Sequence, residues 1–102
     1  MAENLHKLTI SELAASLKNL PGWTVAAGRL HREYFFDDFV QAFGFMSSVA
    51  LVAESMNHHP EWCNAYHKVV VDLQTHSLGG ISGFDLELAK KMETLAHRPS
   101  NP

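Results

Sequence analysis

Cysteine is nearly absent from this sequence: Cys63 stands alone among 102 residues. An intramolecular disulfide is therefore impossible, and such usage suits a reducing compartment. Positive charge is also scarce. Eight Lys and Arg face eleven Asp and Glu, for a formal charge of -3 and a pI of about 6.1. The basic residues are scattered, so there is no stripe to neutralise phosphates, and direct nucleic-acid binding is not expected. Long apolar runs are missing. The longest, VALVA from Val49 to Ala53, is too short to cross a bilayer, so no membrane association is expected. The first residues, MAENLHKL, lack the basic and apolar regions of a signal peptide. The expectation is a soluble cytoplasmic protein. Repeats, low-complexity tracts, CxxC, HExxH and the phosphate-loop pattern GxxxxGK[ST] are all absent.

What remains is a globular composition, 46% hydrophobic and 19% charged, on a length that suits one domain over residues 1–102. So short a domain buries a limited core, and oligomerisation is a natural source of further burial. The compositional oddity is histidine, present seven times.

The chain divides into clear segments. TISELAASLKNL begins with a capping-box pattern, Thr9 followed by Glu12, and PG at Pro21–Gly22 closes that short helix. WTVAAGRLHREYFF reads as two strands around a turn at Gly28. DDFVQAFGFMSSVALVAESMN is the strongest helix, with Asp37 as the expected N-cap. Phe39, Phe43, Met46, Ala50 and Ala53 form its expected inward stripe, widened by Val40, Val49 and Val52. Eleven of the fifteen residues from Phe39 to Ala53 are hydrophobic, so burial on more than one side is expected, against a sheet and against a partner helix or subunit. Pro60 disfavours helical geometry at His59, which stops the helix near Asn57 or His58. EWCNAYHKVVVDLQTH follows as two strands, with Val69, Val71 and Leu73 on one face. SLGGISG is a loop, and SGFDLELAKKMETLA a last helix with Ser82 at N-cap and Asp85 at N3. Residues 97–102 read as a loose tail. The order α-β-β-α-β-β-α predicts an α+β domain: a four-stranded antiparallel sheet with three helices on one face.

Several groups with proton-transfer chemistry fall at element ends. Glu54 and His58 are four apart at the end of the long helix, on one face if helical geometry lasts that far. His59 is turned elsewhere by Pro60. His76 ends a strand, and Asp85 opens the final helix. Each has an ordinary explanation: a solvated helix residue, a dipole contact, a helix stop, a strand end and a cap. Two functional rivals compete with these. Glu54, His58 and His76 supply three ligands of zinc type, though at no standard spacing. Alternatively, histidines oriented by carboxylates move protons both ways near neutral pH, as dehydration or isomerisation requires, without a metal. Cys63 as nucleophile and LGGISG as an anion cradle are weaker, since Asp85 would repel phosphate.

The combined spacing is more specific than its parts. Glu54 is followed after three residues by HHP at His58–Pro60, after five more by Tyr66, after nine by His76, and after eight by Asp85. This pattern closely resembles the motif of the pterin-4a-carbinolamine dehydratases. FVQAFGFM (Phe39 to Met46), HHPEW and AYHKV also look similar to segments of that family, and the resemblance runs from about Gly22 to Ala96. It implies a four-stranded antiparallel sheet with helices on one side, in homodimers or homotetramers joined through helices and sheet edges. It implies dehydration of a 4a-hydroxytetrahydropterin to a quinonoid dihydropterin. That product is recycled to the tetrahydropterin that serves aromatic amino acid hydroxylases. No metal or other cofactor is implied. By the resemblance His58 and His76 are the acid/base pair. His59 helps to bind the pterin beside Pro60 and Trp62, and Glu54 and Asp85 orient the histidines. One departure stands out: many relatives carry a basic residue just before the motif aspartate, where this chain has Phe84. Animal members also stabilise dimers of a homeodomain transcription factor, so a non-catalytic binding module is the alternative, with no residue here that reports such a partner.

Overall fold

Local chemistry sets most of the element boundaries. The computed structural model describes residues 6–97, so all but the first residue of the expected tail lies outside the described part. Thr9 and Glu12 form the expected reciprocal capping box of α1, Ile10–Leu17. Strands β1 (Thr24–Ala26) and β2 (Arg29–Phe35) pair antiparallel, with Ala26 opposite Arg29. The two residues between them, Ala27 and Gly28, both take positive φ, 54° and 77°. A two-residue hairpin demands this, and alanine adopts it only under strain.

Helix α2, Phe39–Met56, begins one residue later than expected. Asp38, not Asp37, is the N-cap, because its extended backbone lets Oδ1 accept from the Gln41 amide at 2.8 Å. At the other end Asn57 adopts the left-handed conformation (φ 52°), and the His58 amide donates back to the Ala53 carbonyl at 3.0 Å. Asparagine tolerates this geometry better than any residue except glycine. Hence the helix ends at Met56, four residues before Pro60.

β3 (Glu61–Ala65) and β4 (Lys68–Leu73) complete one antiparallel sheet in the order β1-β2-β4-β3. The register places Leu30 opposite Leu73 and Tyr34 opposite Val69. Leu30, Tyr34, Val69, Val71 and Leu73 are buried beneath the helices. The alternate residues, among them His31, Glu33, Lys68 and Asp72, form the other face, linked by ion pairs. His76–Leu78 make a single 3-10 turn that starts at the expected end of a strand and runs into the expected loop. Helix α3, Gly83–Ala96, then returns over the sheet and packs against α2. The expected α+β architecture and element order are thus present.

The inward stripe of α2 differs from the expected one. Val49 and Ala53 are buried as expected and Met46 and Val52 partly so, but Ala42 and Phe45 are also buried, whereas Phe39, Val40, Phe43 and Ala50 are exposed. The helix is apolar nearly all round, so periodicity in the sequence could not mark the core side; packing on β4 and α3 does. By length and hydropathy α2 is also long and apolar enough to cross a membrane. Here it packs against α3 and β4, with its Ala42–Ala53 stripe in the shared core.

One polar cluster ties α3 to the sheet. Glu93 Oε2 accepts from Trp23 Nε1 at 2.9 Å, from Arg32 Nε at 3.2 Å and from the Tyr34 hydroxyl. Burial raises the Glu93 pKa, but the Tyr34 and Trp23 hydrogen bonds and the Arg32 charge outweigh it and hold the carboxyl below its ordinary value. Burial, reinforced by that carboxylate, pushes the Tyr34 phenol strongly up.

Candidate active site

The end of α2 and the end of β4 converge on a cavity of about 310 Å3. Residues 57–59, after α2, and residues 74–77, after β4, line it. This is the size range of small-molecule sites, and the convergence has a local cause. Asn57 turns the chain so that His58 and His59 leave the helix axis, and the antiparallel sheet carries the end of β4 alongside.

His58 is the most enclosed of the three cavity histidines, with 12% of its side chain exposed. Its Nε2 donates to Asp85 Oδ1 at 2.5 Å. Asp85 is fully buried at the start of α3, where its other oxygen completes the capping box by accepting from the Ser82 amide at 2.9 Å. Cap and histidine partner are therefore one residue using two oxygens. Because a carboxylate only accepts, His58 carries its proton on Nε2 in this pairing. Nδ1 makes no hydrogen bond among the described residues and is left as the acceptor.

Glu54 does not share a face with His58, contrary to the expectation from four-residue spacing. The helix ends at Met56, before His58. Glu54, largely exposed, instead accepts from His59 Nε2 at 3.0 Å. His76 does not end a strand either. β4 stops at Leu73, Thr75 forms an isolated bridge with Gly80, and His76 opens the 3-10 turn. Its Nε2 lies 3.5 Å from Glu61 Oε2, and its side chain is 72% exposed. The structure thus brings His58, His59 and His76 to one cavity, with Asp85 behind His58 and Glu54 beside His59 at its outer edge.

Pro60 and Trp62 are not among the cavity-lining residues. Trp62 pairs with Val71 in the sheet and packs, half-buried, against the core. Phe84 does not line the cavity either; its ring stands against His58, with centroids 5.7 Å apart. Cys63 is exposed on the outer side of the sheet. Among the described residues no three His, Cys, Asp or Glu side chains are grouped to hold a metal ion.

Sequence reasoning missed Thr75, Gln74 and Glu61. Thr75 is buried and donates to Asp85 Oδ2 at 2.8 Å. Its position directly before His76 was the available signal, but nothing local announces a hydrogen bond to a residue ten positions on.

Known proteins align with this arrangement. The family described as Pterin 4 alpha carbinolamine dehydratase matches residues 6–95. A Solibacter usitatus protein named "Putative pterin-4-alpha-carbinolamine dehydratase" is 53% identical over 88% of this chain and 95% of its own length. A protein of the same name from Prochlorococcus marinus strain MIT 9303 is 51% identical over 86% of this chain and 92% of its own. The crystal structure of a transcriptional coactivator/pterin dehydratase from Brucella melitensis superposes with a TM-score of 0.86 at 46% identity. That match covers 89% of this chain and 99% of the other.

Proposed function

Since this chain belongs to the pterin-4a-carbinolamine dehydratase family, we propose that it dehydrates a 4a-hydroxytetrahydropterin to a quinonoid dihydropterin by histidine acid/base catalysis. The observation that carries this reading is that an enclosed, Asp85-held His58 and a second histidine, His76, line one cavity. Loss of water from the substrate needs a proton removed from N5 and a proton delivered to the departing 4a-hydroxyl. His58 has Nε2 committed to Asp85, so its Nδ1 takes the N5 proton. His76, which lines the same cavity, protonates the hydroxyl as it leaves as water. Each group moves one proton, as the stoichiometry requires. His59, held by Glu54 at the rim, orients the flat ring. The quinonoid product then feeds a reduction that restores the tetrahydropterin, in a cytoplasmic recycling role.

Stopped-flow measurement on a 4a-hydroxytetrahydropterin tests the proposal. Acceleration over buffer is expected, with His58→Ala and His76→Ala each losing about 10²–10⁴-fold, the usual worth of a positioned acid or base. No acceleration by the wild-type protein would sink the reading, and a fully active His76→Ala would remove His76 from it.

The exposed apolar side of α2 supports a homo-oligomer. Val40 is 78% exposed and Leu51 76%, alongside Phe39 and Phe43, and such a patch favours burial against another subunit. Sedimentation of the wild type as a dimer or tetramer, and of Leu51→Glu as a smaller species, is the expected result. The same face is where a non-catalytic partner would dock. Binding of that kind survives His58→Ala, whereas catalysis does not.

A further inference from the structure

We propose that Thr75 is a positioning residue, whose hydroxyl, itself held by Ser82, locks the Asp85 carboxylate so that Oδ1 is presented to His58. The directions of the protons follow from one acceptor-only group. Asp85 Oδ2 can only accept, so Thr75 donates to it across 2.8 Å. The Thr75 oxygen then has its lone pairs toward Ser82 Oγ at 2.6 Å, and Ser82 is the donor in that contact. Ser82 Oγ in turn accepts from the Phe84 amide at 3.3 Å. Oδ2 receives a second donor, the Ser82 amide, at 2.9 Å. With Oδ2 engaged from two directions the carboxylate has little freedom to turn, and Oδ1 stays aimed at His58 Nε2.

Helix capping alone does not account for this network. A capping box needs only Ser82 and Asp85, and valine would fill the volume of Thr75. Thr75 comes from a different element and is 6% exposed. Its backbone is pinned by donation to the Gly80 carbonyl at 2.7 Å, and its own carbonyl accepts from Leu78 at 3.0 Å to close the turn that carries His76. One residue therefore holds the turn under one histidine and the carboxylate behind the other. The effect on turnover rests on the dehydratase reading; the positioning of His58 does not.

Proton-detected nitrogen NMR on the full chain tests the two separately. In the wild type the His58 Nε2 proton, assigned by its loss in His58→Gln, is expected as a downfield, exchange-protected resonance. Thr75→Ser keeps the hydroxyl and is expected to keep the resonance. Thr75→Val is expected to shift it upfield or lose it to exchange, with kcat falling roughly ten- to a hundredfold, as loss of a hydrogen bond to a charged group implies, and KM changing less. Absence of the protected proton from the wild type, or an unmoved resonance in Thr75→Val, overturns the proposal. Should Thr75→Val not fold, Ser82→Gly carries the test, because glycine is tolerated as an N-cap. It removes the donor to Thr75, and an unmoved resonance there overturns the proposal as well. Absent turnover with an intact, Thr75-dependent resonance would refute the dehydratase reading and leave the positioning role standing.

Discussion

Replacing Asp85 by asparagine changes almost no volume and inverts the polarity of one contact. Oδ2 accepts from Thr75 and from the Ser82 amide, and Oδ1 accepts from His58. An asparagine that keeps its oxygen toward the first two donors must turn its NH2 toward His58 Nε2. Two donors then face each other, and His58 relieves the conflict by moving its proton to Nδ1 or by swinging away. Either response takes the free acceptor from the cavity. The expected loss in kcat is about 10²–10⁴-fold, the full worth of a positioned base. Stability falls as well, since hydrogen bonds to a charged acceptor become neutral ones. A cost of about 1–3 kcal/mol follows, and each kcal/mol lowers Tm by about 4–8 °C in a domain of this size. Asp85→Ala is more severe. It leaves the Thr75 hydroxyl and the Ser82 amide without their buried acceptor, at about 1–3 kcal/mol each, against a total stability of about 5–15 kcal/mol. Stopped-flow dehydration and thermal melts of both variants at neutral pH are the assay. Asp85→Asn turning over at the wild-type rate while remaining folded would refute the assignment of His58 as an Asp85-held base.

Three further outcomes are expected. The Glu93 carboxyl is held below its ordinary value of 4.5, so its stabilisation is present above pH 4.5 and lost as pH falls through the folded value. Glu93→Gln should lower stability at neutral pH by about 1–2 kcal/mol and flatten the acid limb of a Tm-against-pH curve, and an unchanged limb would contradict this. His31 runs the opposite way. The Asp72 hydrogen bond, assisted by Glu33 and opposed by partial burial, raises it above 6.5, so its contribution is complete below pH 6.5 and disappears as pH rises through the folded value. His31→Gln should remove that slope from the melting curve. Ala27→Asn places a residue tolerant of positive φ in the β1–β2 hairpin and should stabilise by about 1 kcal/mol, readable in urea denaturation; a lower midpoint would show that Ala27 is not strained.

The legible parts of this protein were those governed by neighbours in the chain. Thr9 with Glu12 and Ser82 with Asp85 announced two capping boxes, and both are formed. Val69, Val71 and Leu73 announced one face of β4, because a strand alternates, and that face is the buried one. Pro60 announced a helix stop, although the left-handed Asn57 makes it. The spacing from Glu54 to Asp85 announced the family.

Sequence by itself therefore determined the element order, the two capping boxes and the set of chemically competent residues, since the first two depend on backbone preferences within a few positions and the last on residue identity. Tertiary structure alone decided which side of α2 faces inward, because an all-round apolar helix carries no usable periodicity. It also decided the partners. Glu54 took His59 rather than His58, since the helix ended between them, and His58 took Asp85, 27 residues away. Glu93 collected Trp23, Arg32 and Tyr34 from 59 to 70 residues earlier. Buried polar groups must find partners wherever the packed chain brings donors within reach of acceptors. The packing of α3 across the sheet is what brings these together.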